Sequence, residues 1–454
     1  MTQHELLTLL IRRLNEPLAR YAELDRYYTG RQPLAFLSPE AKAALGNRFG
    51  VMASNICKLS VTALAERLRI NGFSGDSQLW ADWLRCDMDQ LSGVAHREAL
   101  LLGDAYAIVW ADRYGRPNVT VESAKQVAVL TDPGTRQITA AIKRWEDRER
   151  NTTDAVMYLP DRIVKLHAEQ AGAVTPGGFR MVDEIANPLG VVPVVNLRNT
   201  DRIIDSYYGA TFDYGCSEIE DLKPLVDGLN KSLMDMLCTS DVLGRPRRFA
   251  TGIELSEAPV LDVDGNPVLD DDGQPVTTEV NPIPEGHRAM ISENSEAKFG
   301  QLAAADLAGY EASVRVLLGQ IMAVSTLPAH YVGVFTDNPA SADALRAAEA
   351  SLTARAEARQ QTLGRSWEQV AKLMIAVRDG RDPQLIDDIR VQWADAATRS
   401  VAQEADSVTK LFQTGLLPRD YALKKLGYSD DEITKIAAAR AAESVVRQVN
   451  PNAA

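Results

Sequence analysis

The chain has 454 residues, of which 45% are hydrophobic and 24% charged, and its formal net charge at pH 7 is −13. This length accommodates two or three domains with buried cores. The acidic balance argues against a protein whose outer surface binds nucleic acid by neutralising phosphates.

The N-terminal sequence predicts neither a signal peptide nor a membrane helix. Its first apolar stretch, ELLTLLIRRLNEPLARY, carries Arg12 and Arg13 and has helical spacing. No window approaches the roughly 20 apolar residues of a membrane helix. The cysteines form no CxxC motif, which predicts reduced thiols in a soluble product made in the cytoplasm; they are Cys57, Cys86, Cys216 and Cys238.

The first part of the chain predicts helices. Three stretches show helical spacing of apolar residues: ELLTLLIRRLNEPLARYAELDRYYTG, RFGVMASNICKLSVTALAERL and SQLWADWLRCDMDQLSGVAHREALLLG. Asn71-Gly72, after the second stretch, is typical of a turn. Trp80, Trp83 and Leu84 in the third fall on one helical face and are predicted to pack in the core.

The hydrophobic period then changes from helical to alternating. Turn signals at 114–117 and 132–134 separate the extended segments, which are DAYAIVWAD, NVTVESAKQVAVLTD, QITAAIKRWED, AVMYLPDRIVKLHA and LGVVPVVNLRN. The predicted fold class is therefore α+β, with an antiparallel sheet that ends near residue 210.

Residues 217–244 predict another helix, in which Pro224 removes a hydrogen bond near the start and Gly244 ends the helix. A tandem eight-residue repeat follows, LDVDGNPV at 261–268 and LDDDGQPV at 269–276. Its aspartates have the oxygen ligands that Ca²⁺ prefers. Gly directly after the second Asp breaks the EF-hand spacing, so the repeat favours solvated hairpin turns over a cation site.

A helix over ADLAGYEASVRVLLGQIMAVSTLP leads into a short loop and a long Ala-rich helix. Either Asn338, with Pro339 as the first helical residue, or Ser341 is the N-cap of the long helix. Arg359 interrupts its apolar stripe. Gly364 is a predicted kink, because Gly in a helix interior costs about 1 kcal/mol relative to Ala. Three shorter helices are predicted after residue 400.

No motif predicts an enzymatic or cofactor site. The chain contains no GxxxxGK[ST], HExxH or GxSxG, and no GxGxxG after a strand. Its five histidines are scattered, without Cys or carboxylate partners at ligand spacing. We therefore predict a protein that is not an enzyme and that carries no metal or cofactor.

Arg245, Arg247 and Arg248 follow the predicted helix end in the stretch GRPRRF. Their charges suit contacts with DNA phosphates or with an acidic face of a partner. They equally suit a helix C-terminus, whose dipole favours cations. The sequence leaves both interpretations open.

The order of these parts resembles the portal proteins of tailed bacteriophages, most closely those of siphophages that infect actinobacteria. The resemblance covers nearly the whole chain. It is carried by RYYTGRQPLAFLSPE, NICKLSVTALAERLRINGF, HREALLLGDAYAIVW, VVPVVNLRN and GCSEIEDLKPLVDGLNKSLMDML, and by LPxxYxG at 327–333 before the Asn-Pro-led helix.

The resemblance implies a role for each region, with two stem helices lining a channel for DNA. The tandem repeat has no place in the general family pattern. The implied regions are a wing at 1–215, a first stem helix at 216–243, a clip at 244–300, a second stem helix at 301–328, a tunnel loop at 329–340, a long kinked helix that returns to the wing at 341–400, and a helical crown at 401–454.

The resemblance also implies a ring of about twelve copies, closed by cyclic symmetry, at the capsid vertex. Double-stranded DNA would pass through it during packaging and exit. The implied partners are the large terminase subunit, a head–tail adaptor, the major capsid protein and, as a further candidate, a scaffolding protein, with no membrane. The protein would lie in the virion, and in the host cytoplasm during assembly.

The part of the tunnel loop that would contact DNA comprises Val334, Phe335, Thr336, Asp337 and Asn338. DNA must slide there, and each Lys or Arg contact with a phosphate adds salt-sensitive affinity. These residues include neither Lys nor Arg, and Asp337 repels phosphate.

Two other functions stay open from the sequence. One is a soluble enzyme whose active site converges from scattered residues, which would require a deep pocket with perturbed carboxylates. The other is a minor capsid or adaptor protein without a channel. The number of subunits and a central hole distinguish these functions from a portal.

Overall fold

The computed structural model describes residues 2–35, 53–202, 214–243, 248–252, 256–260, 266–270, 273–280, 296–301, 307–333, 341–397, 401–426, 428 and 430–449. Two compact units divide the chain. The larger unit comprises Met1–Leu24, Leu59–Glu220 and Thr326–Ala454, and the smaller unit comprises Asp25–Lys58 and Asp221–Ser325.

Over the first 200 residues, helices and strands are largely segregated into separate groups along the chain, as is typical of an α+β fold. The elements are α1 (Gln3–Asn15), α2 (Leu18–Thr29), α3 (Ile56–Ala65), β1 (Ile70–Ser74), α4 (Leu79–Arg85), α5 (Met88–Leu102), β2 (Asp104–Ala111), β3 (Pro117–Ser123), β4 (Val127–Thr131), β5 (Ile138–Asp147), β6 (Thr152–Tyr158), β7 (Arg162–Ala168), β8 (Arg180–Ala186) and β9 (Val194–Arg198).

Long helices and short strands follow. They are α6 (Lys223–Leu243), β10 (Arg248–Thr251), β11 (Ser256–Pro259), β12 (Thr277–Val280), β13 (Lys298–Gln301), α7 (Ala308–Ser325), α8 (Ala342–Asp379), β14 (Arg390–Trp393), α9 (Val401–Gln413), α10 (Arg419–Lys425) and α11 (Asp430–Val449), with 3₁₀ helices at Pro176–Gly178, Ala329–Val332 and Pro383–Leu385.

The main sheet of the larger unit is antiparallel, as predicted, and has the strand order β4-β5-β6-β7-β8. Alternate residues of each strand point toward the same side of the sheet. The amphipathic helix α1 covers one of the two faces of the sheet. The core between them is apolar and comprises Leu7, Leu10, Ile11, Leu14, Ala128, Leu130, Ala140, Ile142, Ala155, Met157, Leu159, Val164 and Leu166.

A second antiparallel sheet has the order β3-β2-β9, and α5 and α8 pack against β2. β1 pairs with β14. The turn predicted at Asn71-Gly72 is wrong, because both residues lie within β1, where the register shifts between Ile70 and Gly72. Neither residue has a positive φ, so the Asn-Gly pair lies in an irregular stretch of strand rather than in a turn.

The third predicted helical region is divided into α4 and α5. Asp87 lies between them with φ 54°, a left-handed conformation that no helix interior accepts. The core prediction for this region is right for Trp83, which is fully buried, and wrong for Leu84, which is 43% exposed. Leu84 lies near the end of α4, one residue before Arg85 closes it.

The smaller unit contains α6 and α7, which pack against each other. Thr239 on α6 lies 3.2 Å from the hydroxyl of Tyr310 on α7. A Cβ at Gly228 would lie 3.4 Å from Leu317. These two pairings show that the helices run antiparallel. α6 begins at Lys223 rather than near Ser217, so Pro224 occupies the first turn, where its missing N–H costs little.

Short antiparallel pairs, β10 with β13 and β11 with β12, connect α6 to α7. The last valine of each copy of the tandem repeat is hydrogen-bonded with Val260, the residue before the repeat. Val268 donates to the carbonyl of Val260, Val276 to that of Val268, and Val260 to that of Val276, each at 2.8 Å. In the second copy of the repeat, Gly273 has φ 75° and its N–H donates to the carbonyl of Asp270. This confirms a tight turn there, and residues 261–265 and 271–272 lie outside the described residues.

Candidate functional site

The predicted tunnel-loop residues 334–338, together with Arg245 and Arg247, lie outside the described residues. The segments on both sides of the loop are described. Leu327 is buried, a 3₁₀ helix covers Ala329–Val332, and Gly333 has φ 77°. After the loop, the hydroxyl of Ser341 accepts from the N–H of Ala344 at 3.2 Å and caps α8. Of the two predicted N-caps, the structure therefore selects Ser341.

The guanidinium of Arg67 lies between the two ends of this loop. Its Nη2 donates to Glu349 Oε2 at 2.9 Å and to the hydroxyl of Tyr331 at 3.3 Å. Its Nη1 donates to the carbonyl of Ala396 at 2.6 Å. Nε2 of His330 lies 3.4 Å from Glu349 Oε1. The chain before the loop and the first turns of α8 after it therefore share one buried guanidinium.

Burial by itself lowers the pKa of Arg67, but its hydrogen bonds to Glu349 and Tyr331 outweigh burial and raise it. The side chains of Arg67 and Glu349 are only 8% and 12% exposed. Arg67 remains protonated at every accessible pH, so its guanidinium keeps its positive charge throughout.

A second buried guanidinium anchors the middle of α8. Arg359 Nε donates to Glu218 Oε1 at 3.0 Å, and its two terminal nitrogens donate to the carboxylate of Asp201. Asn199 also donates to Glu218 Oε1, at 3.0 Å. Burial lowers the pKa of Arg359, and the hydrogen bond to Asp201 reverses this effect and raises it. The charge that interrupts the predicted apolar stripe is therefore fully paired.

The C-terminal end of α8 is held by carboxylates. Arg378 donates to Asp379, Asp76 and Asp82 at 2.7–3.1 Å. Its hydrogen bonds to Asp379 and then to Asp76 raise the pKa of Arg378. The hydrogen bond from Arg378 also lowers the pKa of Asp76.

Gly364 lies inside α8, which runs through it without interruption from Ala342 to Asp379. A Cβ at this position would lie 3.1 Å from Val391 Cγ1 and 3.3 Å from Trp393 Nε1. Glycine therefore permits the close approach of β14 to the helix. The kink at Gly364 stays a prediction.

Of the three clip arginines, only Arg248 lies among the described residues. Arg248 begins β10, where its backbone is paired with that of Gln301. This pairing brings the two ends of the clip together, since one follows α6 and the other precedes α7. The proposed contact of these arginines with DNA or a partner stays a prediction.

Among the described residues, no group of three or more His, Cys, Asp or Glu side chains is arranged to hold a metal ion. None of the four cysteines, all of which are described, forms a disulfide. None of the described helices is long and apolar enough to cross a membrane.

Sequence reasoning missed Arg67, Glu349 and Glu218. Only Arg359 gave a signal, as a charge within an apolar stripe. The missed residues are charged residues in helical or turn segments, where a solvated position is the ordinary expectation.

A family model described as phage portal protein, SPP1 Gp6-like, matches residues 8–445. The chain belongs to this phage portal protein family. It is 28% identical to the portal protein of Mycobacterium phage L5 over 403 residues, which are 83% of this chain and 76% of that protein. It is 30% identical to the portal protein of Mycobacterium phage D29 over 398 residues, which are 82% of this chain and 75% of that protein.

Similar solved structures include the virion of a native gene transfer agent particle, with TM-score 0.44, 15% identity, and coverage of 90% of this chain and 93% of that one. The neck of the empty particle, computed with C6 symmetry, has a TM-score of 0.45 and 14% identity, and the match covers 90% of this chain and 94% of that one. The neck of the native particle, computed with C12 symmetry, has TM-score 0.43, 14% identity, and coverage of 90% and 98%.

Family membership confirms the predicted resemblance and its actinobacteriophage character, since both relatives are portal proteins of mycobacteriophages. The portal is a structural component of the virion at the capsid vertex.

Proposed function

We propose that this portal protein assembles into a ring of about twelve copies, through whose channel double-stranded DNA enters the capsid and later leaves. The observation that carries the proposal is the family match over residues 8–445. In this proposal α6 and α7 are the stem helices that line the channel, and residues 334–338 form its constriction.

Exposed apolar side chains support assembly with further copies of the chain. On the proposed stem helices, Leu237 of α6 and Val316 and Val324 of α7 are 38%, 65% and 38% exposed. The C-terminal helices and their connections add Phe412, Leu416, Tyr421, Leu426 and Tyr428. Neighbouring copies would bury these surfaces in a closed ring.

The charges of the described stem residues suit a lining that does not hold DNA tightly. On α7 the charged residues are Glu311 and Arg315, which pair with each other at 2.8 Å. On α6, Lys231 pairs with Asp235. A cation that is paired with a carboxylate contributes little phosphate affinity, so DNA can slide.

The proposed partners are the large terminase subunit, a head–tail adaptor, the major capsid protein and a scaffolding protein. The clip, residues 244–300, is the proposed docking surface for terminase and then for the adaptor. We propose that terminase supplies the energy, and that the portal is not itself an enzyme.

Mass photometry of the purified protein, followed by negative-stain images, tests the ring. The expected species contains about twelve or thirteen subunits around a central hole. Because assembly depends on concentration, the measurement is repeated on concentrated protein and on portals extracted from capsids. A protein that stays monomeric in the concentrated sample and shows no ring in the capsid extract would contradict the proposal.

A further inference from the structure

We propose that Arg67 is a positioning residue that holds the two ends of the 334–340 loop at a fixed separation. Arg67 follows α3 and is remote in sequence from the loop. Before the loop it contacts Tyr331, and after the loop it contacts Glu349 and Thr353. The inference rests on the proposed function only for its consequence for DNA packaging.

The geometry allows Arg67 to hold both ends at once. A guanidinium presents its donors in a rigid plane, so bonds to Tyr331 and Glu349 from the same Nη2 constrain the distance between these two residues. His330, beside Tyr331, approaches the second oxygen of the same carboxylate at 3.4 Å. Glu349 is therefore contacted from the chain before the loop as well as by Arg67.

Arg67 is itself fixed from outside the loop. The side-chain amide of Gln360, further along α8, donates to the carbonyl of Arg67 at 3.0 Å and to that of Ala394 at 3.1 Å. The carbonyl of Arg69 accepts from the N–H of Ala394 at 2.8 Å. The guanidinium thus acts from a backbone that α8 and the segment at Ala394 already hold in place.

Arg67 also contacts the chain that leads to the C-terminal helices. Its Nη1 donates to the carbonyl of Ala396, shortly before α9 begins at Val401. One side chain therefore joins the loop ends to the segment at Ala396, which precedes α9. The three contacts use different nitrogens or directions, and a lysine ammonium, which is a single point charge, does not reproduce them together.

Hydrogen–deuterium exchange of the full-length protein tests the inference. In Arg67→Met we expect the amides of 329–333 and 341–349 to exchange about tenfold faster, because local opening no longer has to break the shared ion pair. In Arg67→Lys the increase is expected to be smaller. The matched control is Arg378→Met, which removes an ion-pair hub at the other end of the same helix and should leave the loop ends unchanged.

Unchanged exchange at the loop ends in Arg67→Met would overturn the inference, as would an increase spread evenly over the whole unit. If Arg67→Met does not fold, Glu349→Gln and Arg67→Lys carry the same test by the same criteria. If Glu349→Gln speeds exchange of the same amides, and adding Arg67→Met to it speeds exchange no further, the Arg67–Glu349 pair is established as the cause.

DNA packaging in phage particles separates this inference from the proposed function. If the loop acts on DNA, Arg67→Met should lower the fraction of filled particles, as deletion of the loop should, whereas Arg378→Met should not. Normal filling in the loop deletion would contradict the channel role of the loop. The exchange result would still decide whether Arg67 positions it.

Discussion

The indole Nε1–H of Trp367 donates a hydrogen bond to Nε2 of His96 at 2.7 Å, inside the larger unit. The other ring nitrogen of His96, Nδ1, lies 2.9 Å from the carbonyl oxygen of Leu68. A carbonyl only accepts, so Nδ1 carries the proton and Nε2 offers a lone pair to the indole. His96 is thus a neutral imidazole that joins α5 to α8.

This relationship predicts a loss of stability in acid. Burial lowers the pKa of His96 from 6.5 to about 4, although the bond to Leu68 acts in the opposite direction. The unfolded chain therefore binds a proton between these pH values that the folded chain does not. The resulting contribution, on the order of 3 kcal/mol, is complete above pH 6.5 and is lost as the pH falls toward 4.

Chemical denaturation of the wild type and of His96→Gln between pH 4 and 7.5 measures this effect. The variant should be less stable at pH 7 but should lose less stability on acidification, because its amide does not titrate. His4→Gln, which changes an exposed histidine, is the control and should follow the wild type. Equal pH slopes in His96→Gln and the wild type would count against the assignment.

Replacement of Gly364 should show whether close packing with β14 requires glycine. Gly364→Val places branched carbon atoms against Val391 and Trp393 and should lower the free energy of unfolding by about 1–3 kcal/mol. The control is Gly93→Val in α5, where a Cβ meets nothing within 4 Å. The two midpoints of denaturation are compared with that of the wild type, and equal effects at both sites would refute the packing role.

The Arg359 network predicts a large difference between its two carboxylates. Among the described residues, Arg359→Met leaves the buried Glu218 with Arg355 as its remaining cationic partner, and the change should cost about 3 kcal/mol. The side chain of Asp201 is 72% exposed, so Asp201→Asn should cost about 0–1 kcal/mol. Thermal or denaturant unfolding of both variants tests the ranking, which equal losses would contradict.

Removal of the proposed constriction should separate assembly from DNA passage. Deletion of Val334–Asp337 should leave rings and procapsids intact and reduce the packaging or retention of DNA, because the channel then lacks the loop proposed to contact the DNA. A Gly/Ser segment of the same length is the control that distinguishes loop length from side-chain chemistry. Counts of filled and empty particles by electron microscopy give the result, and normal filling after the deletion would refute the role.

Local patterns in the sequence predicted much of the fold. The turn at 132–134 is an example, because Asp132 Oδ1 accepts from the N–H groups of Gly134 and Thr135 at 3.0 and 2.7 Å. Such a turn is determined by adjacent residues, and the same is true of the Ser341 cap and the repeat turn at Gly273. The strand β14 was missed, since Arg390–Trp393 is too short to show a period.

The sequence by itself determined the α+β class, the succession of helices and strands, and the resemblance to portal proteins, because periodicity, caps and turns are properties of neighbouring residues. Only the tertiary structure decided that Arg67 meets Glu349 across 282 residues and that Trp367 meets His96 across 271. Neither pair has a local signature. Each becomes favourable only when packing has removed water from both partners, so that a hydrogen bond lost to solvent must be replaced within the fold.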